Sequence, residues 1–218
     1  MSNNKLLTII YTLFIIICFS INTYAITEKQ YLIINDLIEQ ENIDKAFKDL
    51  KVFQKGTGKL SARNQILIGK IYLALEQPAK AFTFFEKAIF TSTSTDDRAY
   101  AGMSLSSLKL GNLTDAQKYA EKALERNHDL VQAKLALGQV YLDFGQIEKS
   151  EKYFKQAILA SPNSQVSARI YASSKMRQGK LNKAKKIILT ALLNQKPDAA
   201  TIDLLGKIFW VEGNIKEA

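Results

Sequence analysis

Few residues of this 218-residue chain are of types that perform chemistry, and their spacing argues against most of it. His128 is the single histidine and sits in Glu-Arg-Asn-His-Asp (125–129). A general base needs a positioned partner and a group that orients it. Nothing beside His128 supplies either, so it reads as a solvated link residue. The single cysteine, Cys18, excludes a disulfide framework and a cysteine-based zinc site, and one histidine cannot make a two-histidine metal centre. Gly56-Thr57-Gly58-Lys59 has the outline of a phosphate loop, but Phe53 stands where such a loop requires a glycine, and a helical pattern precedes it where a strand is needed. It reads as a link between helices. The acidic residues Asp96-Asp97, and Glu148 with Glu151, fall at expected helix starts, where carboxylates complement the macrodipole and cap free N–H groups. Phe82, Phe84, Phe85, Tyr153 and Phe154 invite a stacking platform for bases or sugars. Phe85 and Phe154 recur at one place in an internal period and read as packing, while Phe84 is left open between packing and exposure. No catalytic residue, metal ligand or cofactor site is expected.

The elements that carry these residues are helical. Apolar residues make up 47% of the chain and charged ones 23%, which excludes wholesale disorder. Three prolines and ten glycines are too few for a turn-rich β fold. Residues 1–25 are read apart from the fold. Their one charge is Lys5, the run from Leu6 to Phe19 is apolar but for two threonines, and Thr23 and Ala25 frame a small-x-small cleavage site. The expectation is an exported protein, in a bacterial periplasm, with the signal peptide removed after Ala25. The alternative is an uncleaved inner-membrane anchor over residues 6–21. Cys18 follows the bulky Ile17, which argues against a lipoprotein site. Cleavage would leave no cysteine, so burial alone would hold the fold.

One six-residue theme recurs along the chain. It reads ENIDKA from Glu41, EQPAKA from Glu76, GNLTDA from Gly111, GQIEKS from Gly145, GKLNKA from Gly179 and GNIKEA from Gly213, at steps of 35, 35, 34, 34 and 34 residues. A glycine can take the left-handed conformation that ends a helix. A polar and an aliphatic residue then turn the chain, and a small residue (Ala116, Ser150, Ala184) lets the next helix approach its predecessor closely. The unit is a helical hairpin with a tight turn. Between Val131 and Ser164 a further set is present: Leu137-Gly138, Tyr141, Gly145, Ser150, Phe154, Ala157 and Pro162.

That set resembles the tetratricopeptide repeat, whose 34-residue pattern has a Leu-Gly pair, an aromatic, then Ala, Phe, Ala and Pro. Lys134 replaces the usual Trp and Ser150 the first Ala. Copies are expected near 27–60, 62–95, 97–130, 131–164 and 165–198, with a partial one over 199–218. Ile68-Gly69, Tyr72, Phe85, Ser104, Ala123, Ala172, Ala191 and Leu205-Gly206 fall in phase. The copy at 27–60 is the weakest. The resemblance implies an all-α, right-handed superhelical solenoid of antiparallel helix pairs, the first helices lining a concave groove. The last copy stops soon after Gly213, which reads as an array cut short, with Leu204, Leu205, Ile208, Phe209 and Trp210 presented without a partner.

The resemblance also places groove residues: Arg63, Lys70, Arg98, Gln132, Gln139, Asp143, Arg169, Arg177, Asp203 and Lys207. Family members that bind a terminal carboxylate use a Lys/Asn clamp, which Ile66 and Leu135 interrupt here. The window from Lys152 to Lys186 holds nine basic residues and no acid. It reads as a solvated face or, more sharply, as a surface for an acidic partner, glycan or lipid headgroup. The expected function is a non-catalytic scaffold binding a protein or peptide in the groove, with no nucleic acid. Membrane contact is expected only through an uncleaved leader. Two alternatives stand: the repeat part of an outer-membrane or polysaccharide export or assembly machine, and the amino-terminal module of a longer protein whose active domain follows residue 218.

Overall fold

A computed structural model describes residues 28–39, 42–53, 60–91, 96–193 and 195–213. The expected leader, Gly56–Lys59 and the residues after Gly213 lie outside them. The described residues form eleven α-helices and no strand. They fall into two units, residues 1–95 and 96–218.

In the first unit, α1 (Glu28–Glu39) pairs with α2 (Ile43–Phe53), and α3 (Ala62–Ala74) with α4 (Pro78–Thr91). Helix α3 also packs on both α1 and α2. Tyr31, Ile34, Leu37, Ala46, Leu50, Leu67, Ile68 and Ile71 form the shared core. These residues recur at three- and four-residue spacing, so each helix turns one apolar stripe inward. Ser61 starts α3 by accepting the Asn64 N–H at 3.2 Å.

In the second unit the pairs are α5 (Asp97–Lys109) with α6 (Leu113–Arg126), α7 (Val131–Asp143) with α8 (Ile147–Ala160), and α9 (Gln165–Arg177) with α10 (Leu181–Ala191), followed by α11 (Ala199–Val211). The first helix of each pair touches the first helix of the next, so α5, α7, α9 and α11 form a continuous row. The backbones of the second helices α6, α8 and α10 approach the neighbouring first helices and not one another, so only side chains such as Ile158 and Ile187 meet between α8 and α10.

Three residues separate the helices of each hairpin. Gly111, Gly145 and Gly179 carry φ of +80°, +75° and +71° there. The Asn112, Gln146 and Lys180 N–H groups, just past the turn, return to the carbonyls of Ser107, Tyr141 and Lys175. Ala116, Ser150 and Ala184 face the preceding helix with no solvent exposure. Gly138 lets the Phe154 ring pack directly on the α7 backbone, as Gly69 does for Phe85 on α3.

Helix α11 departs from the expectation of an uncovered apolar face. Ile208 is fully buried, and Leu204 and Leu205 pack with residues of α9 and α10; Trp210 and Ile202 stay exposed. The half-turn that each hairpin makes leaves one face of α11 still covered by the preceding pair.

Candidate functional site

Residues one period apart stand side by side on successive first helices. Arg177 Nη2 on α9 donates to Asp143 Oδ1 on α7 at 2.8 Å, and Gln139 Nε2 donates to the same oxygen at 3.0 Å. This three-residue ladder is exposed at its Arg177 end. In the first unit Lys70 Nζ on α3 donates to Asn35 Oδ1 on α1 at 2.8 Å, in the same relation. The structure therefore unites Gln139, Asp143 and Arg177.

The other expected groove residues occupy separate places. Arg63 lies over the Tyr31 ring, 3.6 Å from its centroid. Arg98 pairs with Asp96 at 3.0 Å at the start of α5. Lys207 pairs along its own helix with Asp203 at 2.5 Å. Arg169 is mostly buried: its Nη1 donates to Asp198 Oδ2 at 2.5 Å and to Thr201 Oγ1 at 3.2 Å. Asp198 in turn caps α11 by accepting the Thr201 N–H at 2.7 Å. Arg169 thus fastens α9 to the start of α11, and its charge is engaged within the fold.

The ion pairs leave their mark on the carboxyls. Burial works to raise Asp198, but its hydrogen bonds to Thr201 and Arg169 outweigh it and hold the group below the usual range. Asp96 behaves alike, with Arg98 overcoming its desolvation.

Glu151 does more than complement a helix start. It accepts a hydrogen bond from the Lys175 ammonium, which is 2% exposed, and that bond holds the Glu151 carboxyl low. Lys175 also lies 5.2 Å from the centroid of the Tyr171 ring. One member of the basic window is therefore a buried, internally paired cation. Asp96 caps α5 by accepting the Arg98 N–H at 3.0 Å. His128 is exposed in the link between α6 and α7. Phe84 packs, stacked on Tyr72 with centroids 5.4 Å apart.

Lys155 and Lys186 flank an open cleft of about 520 Å³ on the opposite side of the unit, between α8 and α10. Sequence reasoning located the basic window but not the cleft within it. The signal that could have found it was a pair of substitutions, Lys175 and Ile187, at places where the preceding repeat has Tyr141 and Tyr153.

Family models described as tetratricopeptide repeat match residues 107–172 and residues 62–89. Human tetratricopeptide repeat protein 29 is 28% identical over 146 residues, covering 59% of this chain and 31% of that protein. The chain thus spans about a third of the length of the curated relative it matches. A thermophilic tetratricopeptide-repeat protein of Thermus thermophilus superposes with a TM-score of 0.64 at 19% identity, over 72% of this chain and 86% of that one. PilW, described as a widely conserved type IV pilus biogenesis factor, superposes with a TM-score of 0.60 at 19% identity, over 88% and 90%. At these identities the likeness is one of fold.

Proposed function

Because this chain is a tetratricopeptide-repeat protein, we propose that it is a non-catalytic scaffold that holds a protein or peptide segment against the row of first helices. The observation that carries this reading is the Gln139–Asp143–Arg177 ladder. It presents donors and an acceptor that are already fixed by one another on rigid helices. A ligand meeting such a surface loses its own freedom, but little ordering of the scaffold is needed.

The place of action belongs to the same proposal. The leader-like residues 1–25 support export to a periplasm, with anchorage through residues 6–21 as the alternative. Amino-terminal sequencing of the cell-envelope product decides between them: Ile26 as first residue supports cleavage, and an intact Met1 supports the anchor. Work within an envelope assembly machine is the second functional reading. The fold likeness to a type IV pilus biogenesis factor favours it.

The test is affinity capture on the full chain from an envelope extract, compared with an R177E/K207E variant. Both side chains are exposed, so the variant is expected to fold. Partners that bind the first-helix row are lost from it. An unchanged partner set sinks the proposal.

A further inference from the structure

The cleft between α8 and α10 lies where two of the preceding hairpins place a pair of stacked aromatic rings. In the α7–α8 hairpin, Tyr141 and Tyr153 stack with centroids 5.5 Å apart and pack together with Ala120 and Leu124 of α6. In the α3–α4 hairpin, Tyr72 and Phe84 stack at 5.4 Å in the same two positions, with Phe47 of α2 against Tyr72. Each ring pair fills the space between one second helix and the next first-and-second pair. In the α9–α10 hairpin those positions hold Lys175 and Ile187. Lysine folds back onto Glu151, isoleucine is too short to stack, and the space opens.

The walls follow from helix periodicity. Residues 151, 155, 158 and 159 share one face of α8, and residues 183, 186, 187, 190 and 191 share one face of α10. The floor is Tyr171 and Lys175 of α9. The lining is chiefly apolar and includes Ile158, Leu159, Tyr171 and Ile187. Leu159 is 77% exposed. Among the lining residues the charged ones are Lys155, Lys175, Lys183, Lys186 and Glu151. Glu151 is engaged by Lys175, so the exposed rim is cationic on both walls.

The geometry points to a second binding site, distinct from the first-helix row: a cleft that takes an acidic peptide segment carrying one aromatic anchor. The anchor ring would occupy the space that stacked rings fill in the α3–α4 and α7–α8 hairpins. Carboxylates on either side of it would meet Lys155 on one wall and Lys183 and Lys186 on the other. The charges stand on two separate walls, which suits several carboxylates spread along a peptide better than the single headgroup of a fatty acid. Buried aromatic anchors ringed by polar contacts are the usual source of interface affinity, and complementary charge sets partner choice.

The probe is a random peptide phage library selected on the immobilised full chain and on K155E/K183E/K186E. All three lysines are exposed, and circular dichroism of the variant checks that it folds. The expected result is enrichment of peptides with one Phe, Tyr or Trp flanked by Asp or Glu. Their affinity is expected to fall at least about tenfold in the triple variant, since each attraction becomes a repulsion. I187W should block the same peptides by filling the cleft from within, while R177E/K207E should leave them bound. Peptides without acids, peptides indifferent to both cleft variants, or no enrichment at all would overturn the proposal. So would uptake of oleate by the chain that I187W abolishes while no acidic peptide is selected.

Discussion

Phe154 occupies the space that any side chain at position 138 would need: a Cβ on Gly138 would lie 2.7 Å from two ring carbons. The ring is fully buried and belongs to a cluster with Leu135, Ala157 and Tyr171, so it has little room to yield. G138A is therefore expected to destabilise by about 1–3 kcal/mol, despite the better helix propensity of alanine. G69A should behave alike against Phe85. Adding F154L to G138A should recover part of the loss, a coupling that a double-mutant cycle in urea measures directly. Additive effects would contradict the packing account.

The turn glycines obey a different constraint. Nothing lies within 4 Å of the place a Cβ on Gly145 would take, so only its φ of +75° opposes substitution. G145A should cost about 1 kcal/mol, the ordinary penalty of a left-handed residue. Glu76 occupies the corresponding turn of the α3–α4 hairpin with φ +54°. E76G is expected to stabilise the chain by roughly 0.5 kcal/mol, the relief of strain exceeding the added freedom of the unfolded chain. A lower thermal midpoint for E76G would contradict it.

Glu151 and Lys175 should respond unequally to mutation. Removing the carboxylate leaves a cation that is 2% exposed without its counter-charge, so E151Q is expected to cost about 2 kcal/mol. Glu151 is 27% exposed and can turn to water, so K175M should be close to neutral. Chemical denaturation of both variants tests the asymmetry, and equal losses would refute it.

Acid should act through the same groups. Glu151 and Asp198 are held below the usual carboxylate range in the folded protein. Their unfolded forms bind protons first, so their contribution is complete above about pH 5 and is lost as pH falls through the folded values. E151Q and D198N should each flatten the fall in thermal midpoint between about pH 5 and pH 3. An unchanged slope in both would contradict the assignment.

Much of this was readable in the sequence because it depends on local spacing. The small residues Ala116, Ser150 and Ala184, and the core positions Leu137, Phe154 and Ala157, announce themselves by recurrence, and all are fully buried. The ladder was half visible. Asp143 and Arg177 lie one period apart and so must be neighbours on successive first helices, yet single-residue placement on a groove face hid their pairing. Nothing in the helix of Arg169 reveals that Asp198, at the start of α11, takes up its charge. The cleft was hidden for a related reason. It is defined by what Lys175 and Ile187 fail to fill, and an absence of volume has no residue of its own to mark it.

The close approach at Gly138 has one more consequence. The two positions it joins hold Gly69 and Phe85, Ser104 and Ala120, Gly138 and Phe154, and Ala172 and Ile188 in successive hairpins. Large stands opposite small, and where the second residue shrinks to alanine the first grows to serine, which donates to the Ala116 carbonyl at 2.7 Å. Four of the five hairpins therefore share the volume unequally, while the α1–α2 hairpin holds the two large residues Ile34 and Leu50 in these places. A nascent chain of similar helices risks joining a first helix to the wrong second helix. Here α5 offered to α8 would drive Ser104 into Phe154, and α3 offered to α6 would leave a void between Gly69 and Ala120. Uneven volumes shared between two positions thus penalise these two wrong pairings, through no more than a few methyl groups and rings.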